Sequence, residues 1–209
     1  MKIAVICANG KAGRLIVKEA MERGFDVTAV VRGEDRSGAA SVIQKDLFEL
    51  TAADLAGFDV AVDAFGAWTE ELLPQHKTSL RHLCDILSGT AVRLLVVGGA
   101  GSLYVNKEHT EQVLAAPDFP EIFKPLATMQ ALALAELRLR DDVQWTYISP
   151  ACDFQAEGER TGGYILGGEE LTLNSRGESV ISYADYAAAL VDEAASGRHI
   201  RQRISVVRA

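Results

Sequence analysis

The chain has 209 residues, with few cysteines, few prolines and few aromatics, and it contains no long uninterrupted apolar run. Each shortage removes a class of protein. The three cysteines, Cys7, Cys84 and Cys152, are odd in number, far apart and free of any C-x-x-C pair, so they outline neither a disulfide scaffold nor a zinc site. A membrane-spanning helix needs about 18 or more consecutive apolar residues, and none occurs. The amino terminus enters an apolar strand after one lysine, without the segments of a secretory leader, so a cytoplasmic protein is expected. The histidines, His76, His82, His109 and His199, show no metal-ligand spacing, and no metal is expected. Basic residues are outnumbered, 21 against 29 acidic, and the net charge of −8 gives no field for nucleic acid. What remains, with 48% apolar and 24% charged residues, is a globular chain of a size for one core and one domain, residues 1–209.

The most informative stretch is Ile3-Ala4-Val5-Ile6-Cys7-Ala8-Asn9-Gly10-Lys11-Ala12-Gly13. Its apolar start reads as a buried strand, and Ala12, Leu15, Ile16 and Ala20 then recur at helical spacing, so the glycines sit at a strand-to-helix turn. Such a turn aims the free N–H groups of a helix's first turn, with their partial positive charge, at whatever lies beyond the strand; a pyrophosphate suits that place. The spacing is looser than G-x-G-x-x-G. Gly10 and Gly13 are present, but Cys7 stands where a first glycine is expected. Gly10 permits close approach of backbone to phosphate, and Gly13 permits tight packing of helix on strand.

A second strand, Asp26 to Val31, ends in Arg32. An acidic residue about 20 positions after the glycines would bind a ribose 2′-hydroxyl, whereas a basic one accommodates a 2′-phosphate. Arg32 therefore predicts NADP(H) in preference to NAD(H). Further strands are expected at Ser41–Gln44, Asp59–Asp63, Val92–Val97, Gln144–Ser149 and Arg203–Val207. Helices are expected over Glu70–Leu87 (with Pro74 in its first turn), Leu126–Arg140 and the run from Ala184 to Ala195. Asp46, after the third strand, has two readings: an acceptor for an adenine amino group, or a cap for the turn that follows. His76 shares the apolar stripe of its helix and reads as a hydrogen-bonded core histidine. Gly98 to Gly101 again allow close approach, and Ser102 and Tyr104 follow at the sheet's carboxyl edge. The glycine-rich run 151–182 reads as loop and small-strand material, a lid or substrate wall on the sheet's rim. The pattern as a whole predicts an α/β, Rossmann-like, doubly wound and mostly parallel sheet with helices on both faces and a small C-terminal appendage.

With these pieces placed, nearly the whole chain resembles the atypical short-chain dehydrogenase group of NAD(P)H-binding proteins, which takes in NmrA-like, biliverdin reductase B-like and NADH-flavin reductase-like members. The marks are Ala8 to Gly13, Val30-Val31-Arg32, Ala64-Phe65-Gly66, Val96 to Ser102 and Trp145 to Ala151. Arg160 to Tyr164 and Ile181 to Ala187 look like the flavin-reductase branch. The resemblance implies that Asn9, Gly10, Lys11, Ala12 and Gly13 hold the pyrophosphate, with Arg32 on the 2′-phosphate and Asp46 and Leu47 near adenine. It further implies that Ala64, Phe65 and Gly66 pass the ribose, while Gly98, Ser149, Pro150 and Ala151 lie toward the nicotinamide.

Carbonyl-reducing members of the superfamily use Tyr-x-x-x-Lys to deliver a proton, and no tyrosine here has lysine four residues later; Tyr104 and Lys107 are one residue short. An oxidised flavin or quinone spreads incoming charge over its ring and asks less of the protein. The expected function is NAD(P)H-dependent reduction of a flavin-like or quinone-like small molecule held between Ser102, Tyr104, Phe154, Arg160 and Tyr164. The alternative is an NADP(H)-binding sensor of the NmrA-like type that acts through a protein partner.

Overall fold

Largely apolar runs of four to seven residues make the parallel strands, and in the computed structural model, which describes residues 1–209, they join in one eight-stranded sheet. In chain order the elements are β1 (Lys2–Ile6), α1 (Lys11–Glu22), β2 (Asp26–Val31), β3 (Ser41–Gln44), β4 (Val60–Asp63), α2 (Gln75–Leu87), β5 (Arg93–Val97), α3 (Lys124–Leu137), β6 (Gln144–Ser149), β7 (Asp153–Gln155), β8 (Tyr164–Gly167), β9 (Val180–Ser182), α4 (Tyr183–Ser196) and β10 (Gln202–Arg208). The sheet order is β3-β2-β1-β4-β5-β6-β10-β8, parallel throughout except for β8, which runs antiparallel to β10 at the edge. The strand order reverses beside β1, and that is where the carboxyl ends of an open α/β sheet leave a ligand crevice.

Alternation along the strands sends side chains to two cores. Ile3, Val5, Val27 and Ala29 face α1 and α4, while Ala4, Ile6, Leu94 and Val96 face α2 and α3. The sheet is thus covered on both faces, as its nearly continuous Val, Ile, Leu and Ala usage requires. No helix is long and apolar enough to cross a membrane.

Two helices differ from the sequence expectation by more than one residue. The second helix begins at Gln75, not Glu70, with Pro74 as its cap; proline's fixed φ and missing N–H suit a helix start, and Thr69–Leu73 closes as turns instead. The third begins two residues earlier, with Pro125 in its first turn, and stops at Leu137. The last helix is capped as written in the sequence: the Ser182 Oγ accepts from the Asp185 N–H at 3.0 Å, and Gly197 ends it at φ 62°.

Within 151–182, Tyr164–Gly167 forms the edge strand β8, and β7 pairs with β9 in a separate two-stranded sheet. The strap between β7 and β8 is tied down by buried Asp185, which accepts from the Thr161 N–H (3.0 Å), the Gly162 N–H (2.9 Å) and the Thr161 hydroxyl (2.8 Å).

Candidate dinucleotide site

Above the carboxyl ends of β1 to β5 lies a cleft of about 880 Å³. Its middle is the opening of α1. Gly10 is the N-cap, extended at φ −66° and ψ 162°, and it offers no capping side chain; the first turn carries no acidic residue either. The first N–H groups of the helix are left for a ligand. A Cβ on Gly13 would stand 2.8 Å from the Cys7 carbonyl oxygen and 2.9 Å from the Ala8 Cα and carbonyl oxygen, so only glycine lets α1 approach β1 this closely. Cys7, at the place of the missing glycine, takes the left-handed conformation at φ 61°, a strain of about 1 kcal/mol or more that the turn imposes. Burial, with Asp63 nearby, pushes its thiol up to about 12, which keeps it protonated and unreactive.

Asn9 lines the cleft, but its side chain is engaged elsewhere. Its amide donates to the Glu34 carbonyl (2.9 Å) and accepts from the Arg36 N–H (2.7 Å), stapling the loop after β2 to the phosphate turn. At the β2–β3 end, the Arg32 side chain is 83% exposed, with its Nε 3.9 Å from Asp46. Asp46 caps the turn Leu47–Glu49, accepting from the Phe48 N–H at 2.9 Å, while Glu49 reaches back to the Asp46 N–H. The capping reading of Asp46 holds, and the same carboxylate lines the cleft beside buried Leu47.

Ala64, Phe65 and Gly66 follow β4 and line the cleft. Beneath them Asp63 is 4% exposed, accepts from the Phe65 N–H at 3.0 Å, and is pushed up to about 6 by burial. His76 is buried, bonds the Ala67 carbonyl at 3.1 Å, meets the Phe65 ring edge-on, and is held neutral by desolvation. It is the hydrogen-bonded core histidine expected, and it also borders the cleft. Gly98 closes the β5 end; a Cβ there would fall 2.2 Å from the Tyr147 ring.

Several sequence-predicted residues lie elsewhere. Ser149, Pro150 and Ala151 are buried behind the wall and do not line the cleft. Of the five acceptor-wall candidates only Phe154 borders it. The Ser102 hydroxyl accepts from buried Arg203 (3.1 Å), which also pairs with Glu169; Tyr104 covers Arg203 and stacks on His109 at 4.5 Å. Arg160 pairs with Glu19 on α1 at 2.7 Å, and the Tyr164 hydroxyl donates to Asp192 on α4. Apart from the Tyr104–His109 stack, these groups are engaged by partners 28 to 141 residues away, which their local spacing does not show. Conversely, Trp68, Gln130 and Tyr183 line the cleft unannounced. Trp68, 71% exposed two residues past Gly66, carried a signal in its position; Gln130, mid-helix, carried none.

A parallel sheet with this strand order, an uncapped helix start facing its crevice and a glycine under that helix define a dinucleotide-binding Rossmann protein. The chain belongs to the NAD(P)H-binding family, whose model matches residues 7–196. It is 44% identical to the uncharacterized protein YwnB of Bacillus subtilis (strain 168), over 99% of this chain and 98% of that one. Among solved structures it is similar to a Streptococcus pneumoniae TIGR4 protein described as a "putative NADH-flavin reductase", at 55% identity and TM-score 0.98 with both chains fully covered. It is also similar to a Bacteroides thetaiotaomicron protein described as a "putative epimerase", at 30% identity and TM-score 0.85, over 99% of this chain and 96% of that one. The residues present fit the dinucleotide: the bare amides of the α1 start suit its phosphates, and the Gly13 contact brings that start against β1.

Proposed function

We propose that the protein is an oxidoreductase that uses NADP(H) in preference to NAD(H) to reduce a flavin-like or quinone-like acceptor. The observation that carries this reading is a cleft that runs from Arg32 to Phe154 past the α1 start in a chain without the Tyr-x-x-x-Lys motif that carbonyl-reducing relatives use as proton donor. Tyr104, the nearest approach to that motif, is turned onto Arg203 and His109 instead. The name of the Streptococcus pneumoniae relative supports the same direction.

Bound nicotinamide supplies the hydride, so that NADPH, a proton and the oxidised acceptor yield NADP+ and the two-electron-reduced acceptor. The protein's part is to bind and orient. The amides at Gly10 to Gly13 take the pyrophosphate, and Arg32, with its guanidinium largely in solvent, takes the 2′-phosphate. Ala64, Phe65 and Gly66 give a small-residue floor, and the 151–182 rim, through Phe154, forms the acceptor-side wall that excludes water. Three free cysteines suit a cytoplasmic setting.

NADPH oxidation followed against a panel of flavins and quinones tests the proposal; tight NADPH binding without turnover on any acceptor defeats it. One observation favours the sensor reading: Ile122, Leu132 and Leu139, in and beside α3, are exposed apolar side chains that a protein partner would cover. Equal affinity for NADP+ and NADPH, together with absent turnover, would select it.

A further inference from the structure

The β5–β6 end of the cleft contains two polar groups for which the chain supplies no partner. Gln130, on α3, lies across Gly99, where a Cβ would stand 2.0 Å from its Oε1; glycine makes the room that seats the carboxamide, and that carboxamide makes no hydrogen bond within the protein. The Tyr183 hydroxyl, at the first residue of α4, is likewise unbonded. Its ring stands 3.9 Å from Phe154, which packs 4.8 Å from Tyr186, so an aromatic wall lines the same cleft as the Gln130 carboxamide. By contrast Asn9, Asp46 and His76, also in the cleft, each have a partner within 3.3 Å, while Gln75, at the start of α2, is a third unpaired group away from this end. Half-exposed polar side chains left unpaired in an open, partly apolar cleft are free to take a ligand as their partner.

The chemistry of the amide narrows that ligand. A carboxamide offers a donor and an acceptor side by side, and an imide edge, with a ring carbonyl next to a ring N–H, uses both; a quinone offers only carbonyls and uses one. We propose that the Gln130 carboxamide reads the imide edge of a flavin-type ring, with Phe154 and Tyr183 as its apolar wall, so that this end of the cleft selects flavins over quinones. The assignment rests on the oxidoreductase reading above, and it separates the two acceptor classes which that reading leaves together.

The test compares lumiflavin with N3-methyl-lumiflavin, which lacks the ring donor, by fluorescence quenching in the presence of NADP+. The wild-type protein is expected to bind lumiflavin about tenfold more tightly, the worth of one hydrogen bond. Gln130→Leu should erase that difference and weaken lumiflavin, which loses two hydrogen bonds, about tenfold more than a naphthoquinone, which loses one. Equal binding of the two flavins by the wild-type protein overturns the assignment, and this holds even if the variant fails to fold; so does a preference that persists in Gln130→Leu. NADPH titration of the same proteins reads the oxidoreductase proposal separately: coenzyme binding with no flavin discrimination sinks only the role of Gln130, and flavin discrimination without coenzyme binding sinks only the reductase.

Discussion

At its β2–β3 end the cleft is made by three short strand-end segments within the first 48 residues, 7–12, 30–33 and 45–48, and much of what it presents is backbone: the α1 amides and glycines, and loops stapled by Asn9 and Asp46. At its β5–β6 end, three strand spacings or roughly 14 Å from β2, it is made by side chains from four separate segments, represented by Gly98, Gln130, Phe154 and Tyr183. The first end is set by conformations that a short sequence dictates. The second exists only after α3, β7 and α4 have packed. Conserving a phosphate grip while changing the reacting partner needs this division, because the second wall can vary without disturbing the first.

Four perturbations probe that contrast, and the largest concerns the floor between the ends. Asp63 is held at about 6 by burial against an ordinary value of 3.8, so the folded state binds its proton more tightly than the unfolded chain does. The sign follows: stability is fullest below about pH 4 and is lost as pH rises through about 6, by about 3 kcal/mol. Asp63→Asn keeps an acceptor for the Phe65 N–H and should remove the loss, so denaturant midpoints of the two proteins should match near pH 4 and diverge toward pH 7; parallel curves would show that the carboxyl is solvated. Next, Gly13→Ala forces a Cβ into backbone and should cost about 2 kcal/mol, read by thermal or chemical unfolding, together with loss of coenzyme binding. A neutral effect would mean that the β2–β3 end is less backbone-determined than described. Arg32→Ala should weaken NADPH about tenfold, about 1.4 kcal/mol, and NADH by no more than about twofold; unchanged NADPH affinity would remove Arg32 from the site. The smallest effect is at the link between the regions, the exposed pair of Lys11 on the phosphate turn with Glu157 on the rim strap, 3.2 Å apart. Glu157→Gln should alter stability by less than about 0.5 kcal/mol. A larger change would show that the two ends fold as one unit.

The strands from Lys2 to Asp63 were legible because buried parallel strands are short Val, Ile and Ala runs, and the turn at Gly10 to Gly13 because close helix–strand approach demands glycine. The Pro74 boundary was misplaced because periodicity continued through Leu73 while proline's geometry stopped the helix. Ser102, Tyr104, Arg160 and Tyr164 were placed by position along the chain, yet each is engaged by a charged or aromatic group that only the folded chain brings near. Asp46 shows the middle case. Both of its sequence readings were chemically sound, and the local cap formed because its partner N–H is two residues away.

By itself the sequence determined the doubly wound sheet, the helix start that faces its crevice and the basic residue at the end of β2, since periodicity, glycine sterics and short-range hydrogen bonding act within a few residues. Only the tertiary structure decided which polar groups remain free in the cleft. Whether Gln130 or Arg160 has a partner depends on elements joined by long-range packing, and no local spacing records that.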